Sequence, residues 1–278
     1  MNSRLLQTSD GWVAVTLPRD SDVELLPAWV GADLVGLDAA VRARTCAELV
    51  DGAELLGLAV SALGEYAGPS IRVSPAAQDL PLRTQEARVL DLSALWAGPL
   101  AAHLLANDGA TVVKAESTQR PDNLKHGRPD LYDELNSNKQ IVTFDWDDRD
   151  ALRELVDAAD VVIESSRPRA LEQRGLVARD ILGAADGPRV WASITGYGRG
   201  SNRVAFGDDA AVAGGLVRYK NGKPHFKGDA IADPLTGQAA HEAISQALSD
   251  GVVCLLDVAM AGVARDQAVR EGLRAPLG

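Results

Sequence analysis

Cysteine is almost absent from these 278 residues. Only Cys46 and Cys254 occur, which excludes a disulfide framework and a cysteine-rich zinc site. Histidine is scarce too: His103, His126, His225 and His241 show no H-E-x-x-H or other metal spacing, and no metal is expected. Basic residues number 28 against 39 acidic ones, for a net charge of −11, and the first 80 residues contain no lysine at all. So acidic a surface repels phosphate backbones and anionic lipid, so neither nucleic acid nor membrane is expected as a partner. An anionic ligand would need a local pocket. No apolar run approaches the roughly 18 residues of a membrane span, and residues 1–20 carry no signal-peptide pattern, so a cytoplasmic location is expected. G-x-S-x-G and G-x-x-x-x-G-K are also missing, which with the histidine pattern sets aside serine hydrolase, P-loop NTPase and metal hydrolase chemistry.

What remains is ordinary globular composition, 46% hydrophobic and 24% charged, enough to bury a core. Residues 1–66 open with the strand-like Gly11-Trp12-Val13-Ala14-Val15-Thr16-Leu17. Apolar residues then recur at helical spacing, from Leu34, Leu37 and Val41 to Leu55, Leu56 and Val60. This reads as a small acidic α+β domain that leans on a partner. Residues 67–87, rich in proline and polar side chains without a sustained period, read as a linker. From 88 to 278 short apolar runs alternate with helical stretches: Val89–Leu92, Thr111–Lys114, Ile141–Phe144, Asp160–Ile163, Arg189–Ile194 and Val252–Leu256. That rhythm predicts an α/β domain of Rossmann-like type, a mostly parallel sheet with helices on both faces. Ligands of such sheets lie beyond the carboxyl ends of the strands, so the loops after Leu92, Lys114, Phe144, Ile163 and Ile194 are the expected site.

The dinucleotide fingerprint G-x-G-x-x-G is absent from the first of these loops, which reads Ser93-Ala94-Leu95-Trp96-Ala97-Gly98-Pro99. Proline inside a helix start and a glycine that permits close backbone approach suit either a phosphate or pantetheine cradle or a plain tight turn. Near the other end, Asp233-Pro234 predicts a helix start, with aspartate as N-cap and proline at the first helical position. Capping alone explains that aspartate. The same geometry also makes it available as a nucleophile, because the helix dipole favours its charged form.

The order of these pieces resembles the family III CoA-transferases, the CaiB/BaiF family, over about residues 88–262. Val89-Leu90-Asp91-Leu92-Ser93 with Ala97-Gly98-Pro99 is similar to the family's opening strand and turn. Leu104-Leu105-Ala106 through Gly109-Ala110-Thr111-Val112-Val113-Lys114-Ala115-Glu116 follows, then Asn138-Lys139, Ala159 to Glu164, Gly175-Leu176, Ser193 to Gly198 and Asp209 to Gly215. The resemblance implies that Asp233, in an Asp-x-x-x-Gly motif with Gly237, attacks an acyl-CoA thioester; Asp229 is held in reserve. It implies an aspartyl–acyl anhydride, then an aspartyl–CoA thioester from which an incoming carboxylic acid takes the CoA. CoA enters as a substrate, with no tightly bound cofactor, and a homodimer is implied.

CoA contacts carried over position by position are Ala94, Leu95, Ala97, Ser117, Phe144, Trp146, Asp147, Ser165, Gln173 and Arg174. Three of them depart from the family pattern. Ser117 stands for a basic residue, Ser165 for asparagine, and Asp147 for a lysine. The family's glycine-rich loop over the active site has no counterpart, and the small domain comes first rather than after the main sheet. These departures motivate an alternative, a catalytically weakened relative that binds CoA or a partner without turnover. Related racemases keep Gly-His-Asp where this chain has Gly207-Asp208-Asp209. Without the histidine, racemisation loses one of its two proton carriers.

Overall fold

The computed structural model describes residues 3–182, 184 and 187–273. Two compact units emerge from it, the described parts of Met1–Ser70, Gly196–Asp233 and Ala259–Gly278, and those of Ile71–Thr195 and Pro234–Val258. This division differs from a boundary at residues 67–87, since segments from the second half of the chain join the first 70 residues.

The first unit contains a three-stranded antiparallel sheet of β1 (Ser3–Gln7), β2 (Trp12–Thr16) and β3 (Ala59–Ala62), in that order. Between β2 and β3 the chain is helical, as its spacing predicts. The longest of these helices, Cys46–Leu56, begins where Thr45 and Glu48 cap each other's backbone N–H groups. Its apolar stripe packs Leu49, Val50 and Ala53 against Val13, Val15, Trp29 and Val41.

In the second unit a seven-stranded sheet runs in the order β4-β12-β9-β8-β5-β6-β7. Its strands are β4 (Ile71–Gln78), β5 (Arg88–Asp91), β6 (Thr111–Ser117), β7 (Gln140–Phe144), β8 (Val161–Glu164), β9 (Val190–Thr195) and β12 (Val252–Ala259). A separate hairpin, part of the first unit, pairs β10 (Val217–Lys220) with β11 (Lys223–Phe226). β5 is parallel to β6 and β8, β6 to β7, and β8 to β9, while β4 runs antiparallel to β12. The mostly parallel α/β sheet predicted from the alternating runs is therefore present. Leu90, Val162 and Trp191 from its central strands pack with Leu152 and Val156 of the helix Arg149–Asp157. Fully burying each such side chain contributes about 1.5–3 kcal/mol.

Two local expectations need correction. Within the stretch read as a linker, Ile71–Gln78 is an edge strand. Pro75 disguised it, because proline has no N–H for a ladder and is tolerated in a sheet mainly at an edge. The helix carrying Asp233 runs Ala232–Ser249, so Asp233 lies inside its first turn rather than at the N-cap. The reason is a turn just upstream: the Asp233 N–H donates to Ala230 O at 2.9 Å, and Ala230 itself adopts φ +49°.

Candidate functional site

Strand order fixes where a ligand crevice belongs in the second unit. From β5 the chain proceeds outward to β6 and β7 on one side, and β8, β9 and β12 continue on the other. The switch point thus lies between β5 and β8, beyond Asp91 and Glu164. Two predicted site residues meet there: the Ala94 N–H donates to Ser165 Oγ at 3.1 Å. Beside them Leu95 adopts φ +67°, a left-handed conformation that costs a non-glycine residue on the order of 1–3 kcal/mol. Ala97 follows as the first residue of the helix Ala97–Asn107 and is buried.

A second group gathers at the ends of β6 and β7. Ser117 pairs in register with Phe144, and its hydroxyl donates to Gln119 Oε1 at 2.9 Å. Trp146 leans on Phe144, with ring centroids 5.8 Å apart. The Arg174 guanidinium lies 4.4 Å from the Trp146 ring centroid, donates to Trp146 O at 2.9 Å and reaches Asp147 at 3.3 Å. Charge and ring reinforce each other, giving a flat, half-exposed surface with a cation stacked on it. Gln173 is exposed. Arg167 and Arg169, the other arginines of this region, are both exposed.

Asp233 belongs to the first unit and is 9% exposed. Its carboxylate is seated against a glycine: a Cβ on Gly207 would fall 2.2 Å from Asp233 Oδ2 and 2.4 Å from Ala230 O. Next to Gly207, Asp208 accepts the Ala230 N–H at 2.8 Å. Asp209 is fully buried, and its Oδ1 accepts the Phe206 N–H at 2.9 Å. Burial, with some help from Asp208, pushes the Asp209 carboxyl up to about 7. Asp229, the reserve candidate, is exposed. Gly237 has a packing reason for its place in the Asp-x-x-x-Gly motif. A Cβ there would lie 2.8 Å from Ala97 O and 2.9 Å from Leu100 Cβ, so it lets two helices of the second unit touch.

Sequence reasoning missed the charges beneath the first loop. Lys114 and Lys139 have fully buried side chains, paired with Asp122 at 3.4 Å and Asp91 at 2.9 Å respectively. Burial pushes the Asp91 carboxyl up, but Lys114, Lys139 and Ser93 outweigh it and hold the group below its ordinary value. Burial pulls Lys139 down, and Asp91 only partly offsets this. One signal was available: Lys114 interrupts the run Thr111-Val112-Val113-Lys114-Ala115, and a lysine inside a buried parallel strand requires a partner. A cleft of about 890 Å³, lined by Arg83, Thr84, Gln85, Asn107, Asp108 and Ser245 among others, holds none of the predicted site residues. Among the described residues no group of three His, Cys, Asp or Glu side chains is placed to hold a metal ion, and no helix is long and apolar enough to cross a membrane.

A mostly parallel seven-stranded sheet flanked by helices defines an α/β protein. Residues 85–267 match the profile of CoA-transferase family III. The chain is 32% identical over 185 residues to an acyl-CoA transferase of Fusarium pseudograminearum, covering 58% of this chain and 40% of that protein. It is equally 32% identical over 178 residues to the human succinyl-CoA:glutarate CoA-transferase, with the same coverage of 58% and 40%. Among solved structures, a CaiB/BaiF family protein from Brucella suis superposes with a TM-score of 0.61 at 26% identity, covering 69% of this chain and 57% of that one. The chain belongs to CoA-transferase family III. It spans less than half the length of the two sequence relatives named here.

Proposed function

We propose that this chain takes part in moving CoA from an acyl-CoA to a carboxylic acid, with Asp233 as the nucleophile. The observation that carries the reading is the seat of that carboxylate, in the first turn of an 18-residue helix and against a residue with no side chain. An Asp233 oxygen attacks the thioester carbonyl, the C–S bond breaks, and CoA leaves as thiolate from an aspartyl–acyl anhydride. The thiolate then attacks the aspartyl carbonyl and releases the first acid. The acceptor carboxylate displaces CoA from the aspartyl thioester, and the thiolate's attack on the new acyl carbon frees Asp233 again. Covalent capture divides one hard exchange into easier steps. In this reading CoA lies along the loops at Ala94–Ala97 and Ser165 and on the Trp146–Arg174 surface.

A second reading is favoured by the missing cations. Ser117, Ser165 and Asp147 offer no positive charge, and Lys114 and Lys139 are engaged inside the protein. That suits a relative that binds CoA without turnover. One experiment separates the two. The chain is incubated with an acyl-CoA and hydroxylamine, digested with trypsin and searched for an aspartyl hydroxamate. Trypsin puts Asp233 on peptide 228–265 and Asp208 and Asp209 on peptide 204–218. A hydroxamate on 228–265, lost in Asp233→Ala, supports the first reading. One on 204–218 moves the nucleophile to the Gly207-Asp208-Asp209 turn. None on either peptide, with CoA still bound, establishes the second reading.

A further inference from the structure

Three buried charges converge on the main chain of one loop, and a fourth, Lys139, pairs with one of them. Lys114 Nζ donates to Ser93 O at 2.9 Å and faces Asp122 Oδ2 at 3.4 Å. Asp122, 3% exposed, receives the Leu95 N–H on both carboxylate oxygens at 3.1 Å, and the Leu124 N–H at 3.0 Å. Asp91 accepts the N–H of Ser93 at 3.0 Å and also its hydroxyl. Lys139 donates to Pro99 O at 2.8 Å and to Asn136 Oδ1 at 2.9 Å while paired to Asp91. Two lysines balance two aspartates, so the cluster adds no net charge to the interior.

Stability alone is a poor account of this arrangement, because well-packed apolar residues commonly serve as well as a buried ion pair. What Asp91, Lys114 and Asp122 do is hold loop backbone groups, the Ser93 N–H and carbonyl and the Leu95 N–H. The sharpest case is Leu95, whose left-handed conformation is unfavourable in itself and persists only where its surroundings over-determine it. Asp122 supplies that constraint through a two-oxygen grip on a single N–H, and Lys114 fixes the carboxylate that does the gripping.

We propose that Asp122, oriented by Lys114, is a positioning residue for CoA: it locks Leu95 in its left-handed turn and so sets the path of the Ala94–Ala97 backbone along which CoA lies. This rests on the proposed placement of CoA at that loop. Asp122 acts through Leu95 and does not itself touch the ligand.

The test is CoA binding by calorimetry on the full chain, with thermal unfolding followed in parallel. Asp122→Ala should weaken CoA about tenfold or more, since a hydrogen bond to a charged acceptor is worth about that factor. Asp122→Asn keeps one acceptor oxygen for the Leu95 N–H but turns its NH2 against the Lys114 ammonium or the Leu124 N–H, and should lose less CoA affinity than Asp122→Ala. Adding Leu95→Gly to Asp122→Ala should restore part of the loss, because glycine adopts the left-handed turn without a clamp. If Asp122→Ala fails to fold, Asp122→Glu keeps the charge balance with Lys114 while displacing the carboxylate, and should show the same loss in CoA affinity. A folded Asp122→Ala or Asp122→Glu that binds CoA as tightly as the parent overturns the inference. If the unsubstituted chain binds no CoA, the placement of CoA fails first and this inference falls with it.

Discussion

The Asp233 carboxylate occupies space that a side chain on residue 207 would need, with Oδ2 2.2 Å from where a Cβ would stand. Gly207→Ala therefore has to push the carboxylate aside or shift the turn at Ala230, whose carbonyl oxygen is 2.4 Å from the same point. A displacement of about 1 Å in a reacting group can cost on the order of 100-fold in rate. CoA exchange by Gly207→Ala should drop by about that factor while CoA affinity by calorimetry holds. Exchange at the parent rate in a folded Gly207→Ala would remove Asp233 from the chemistry.

Asp209 makes stability depend on pH with a definite sign. Its pKa rises on folding from 3.8 to about 7. Below the lower value both folded and unfolded chains hold the proton, and the group carries no penalty. Between the two values the unfolded chain ionises while the folded one stays neutral, so stability falls as pH rises. Above the upper value the loss is complete, at roughly 4 kcal/mol. Urea unfolding should show this decline from about pH 4 to about pH 7, and Asp209→Asn should flatten it. A parent profile that is level over that range would show that Asp209 is ionised in the folded protein.

Removing Lys139 and Asp91 together should cost less than the sum of their separate removals. Lys139→Met leaves the Asp91 carboxylate buried with one of its two cations gone, and should cost about 3–5 kcal/mol in denaturant unfolding. Asp91→Asn combined with Lys139→Met removes both charges of the pair and should recover much of that loss. Additive losses would mean that the pair is not energetically coupled.

Trp146 and Arg174 can be tested as a ligand surface. Arg174→Ala removes the cation over the ring and the donor to Trp146 O. If the nucleotide end of CoA rests there, affinity should fall about fivefold to tenfold, in keeping with roughly 1 kcal/mol for a partly exposed cation–π contact. Calorimetry on Arg174→Ala and on Trp146→Ala measures it, and an unchanged Kd for both would place CoA elsewhere.

The sheet was readable from periodicity because parallel strands buried on both faces are short, continuous apolar runs. Val89-Leu90, Val161-Val162-Ile163 and Val190 to Ile194 became β5, β8 and β9 on that ground. Asp148 caps the helix Arg149–Asp157 by accepting the Ala151 N–H at 3.0 Å. Less accessible were contacts between residues far apart in the chain. Asp122 sits in the polar stretch Arg120-Pro121-Asp122-Asn123, with no apolar period to mark it as interior, and its partner Leu95 lies 27 positions earlier. The division into units was hidden for a related reason. Ser61 Oγ donates to Asp209 O at 2.7 Å across 148 positions, a pairing that no local pattern encodes.

The border of the large sheet at β4 also governs what can grow from it. Opposite Cys254, Pro75 interrupts the row of donors, and the pairing slips between Val253 and Cys254. A foreign segment trying to zip onto that side meets a gap in the ladder and a kink in its template, two devices that discourage runaway stacking of one molecule on the next.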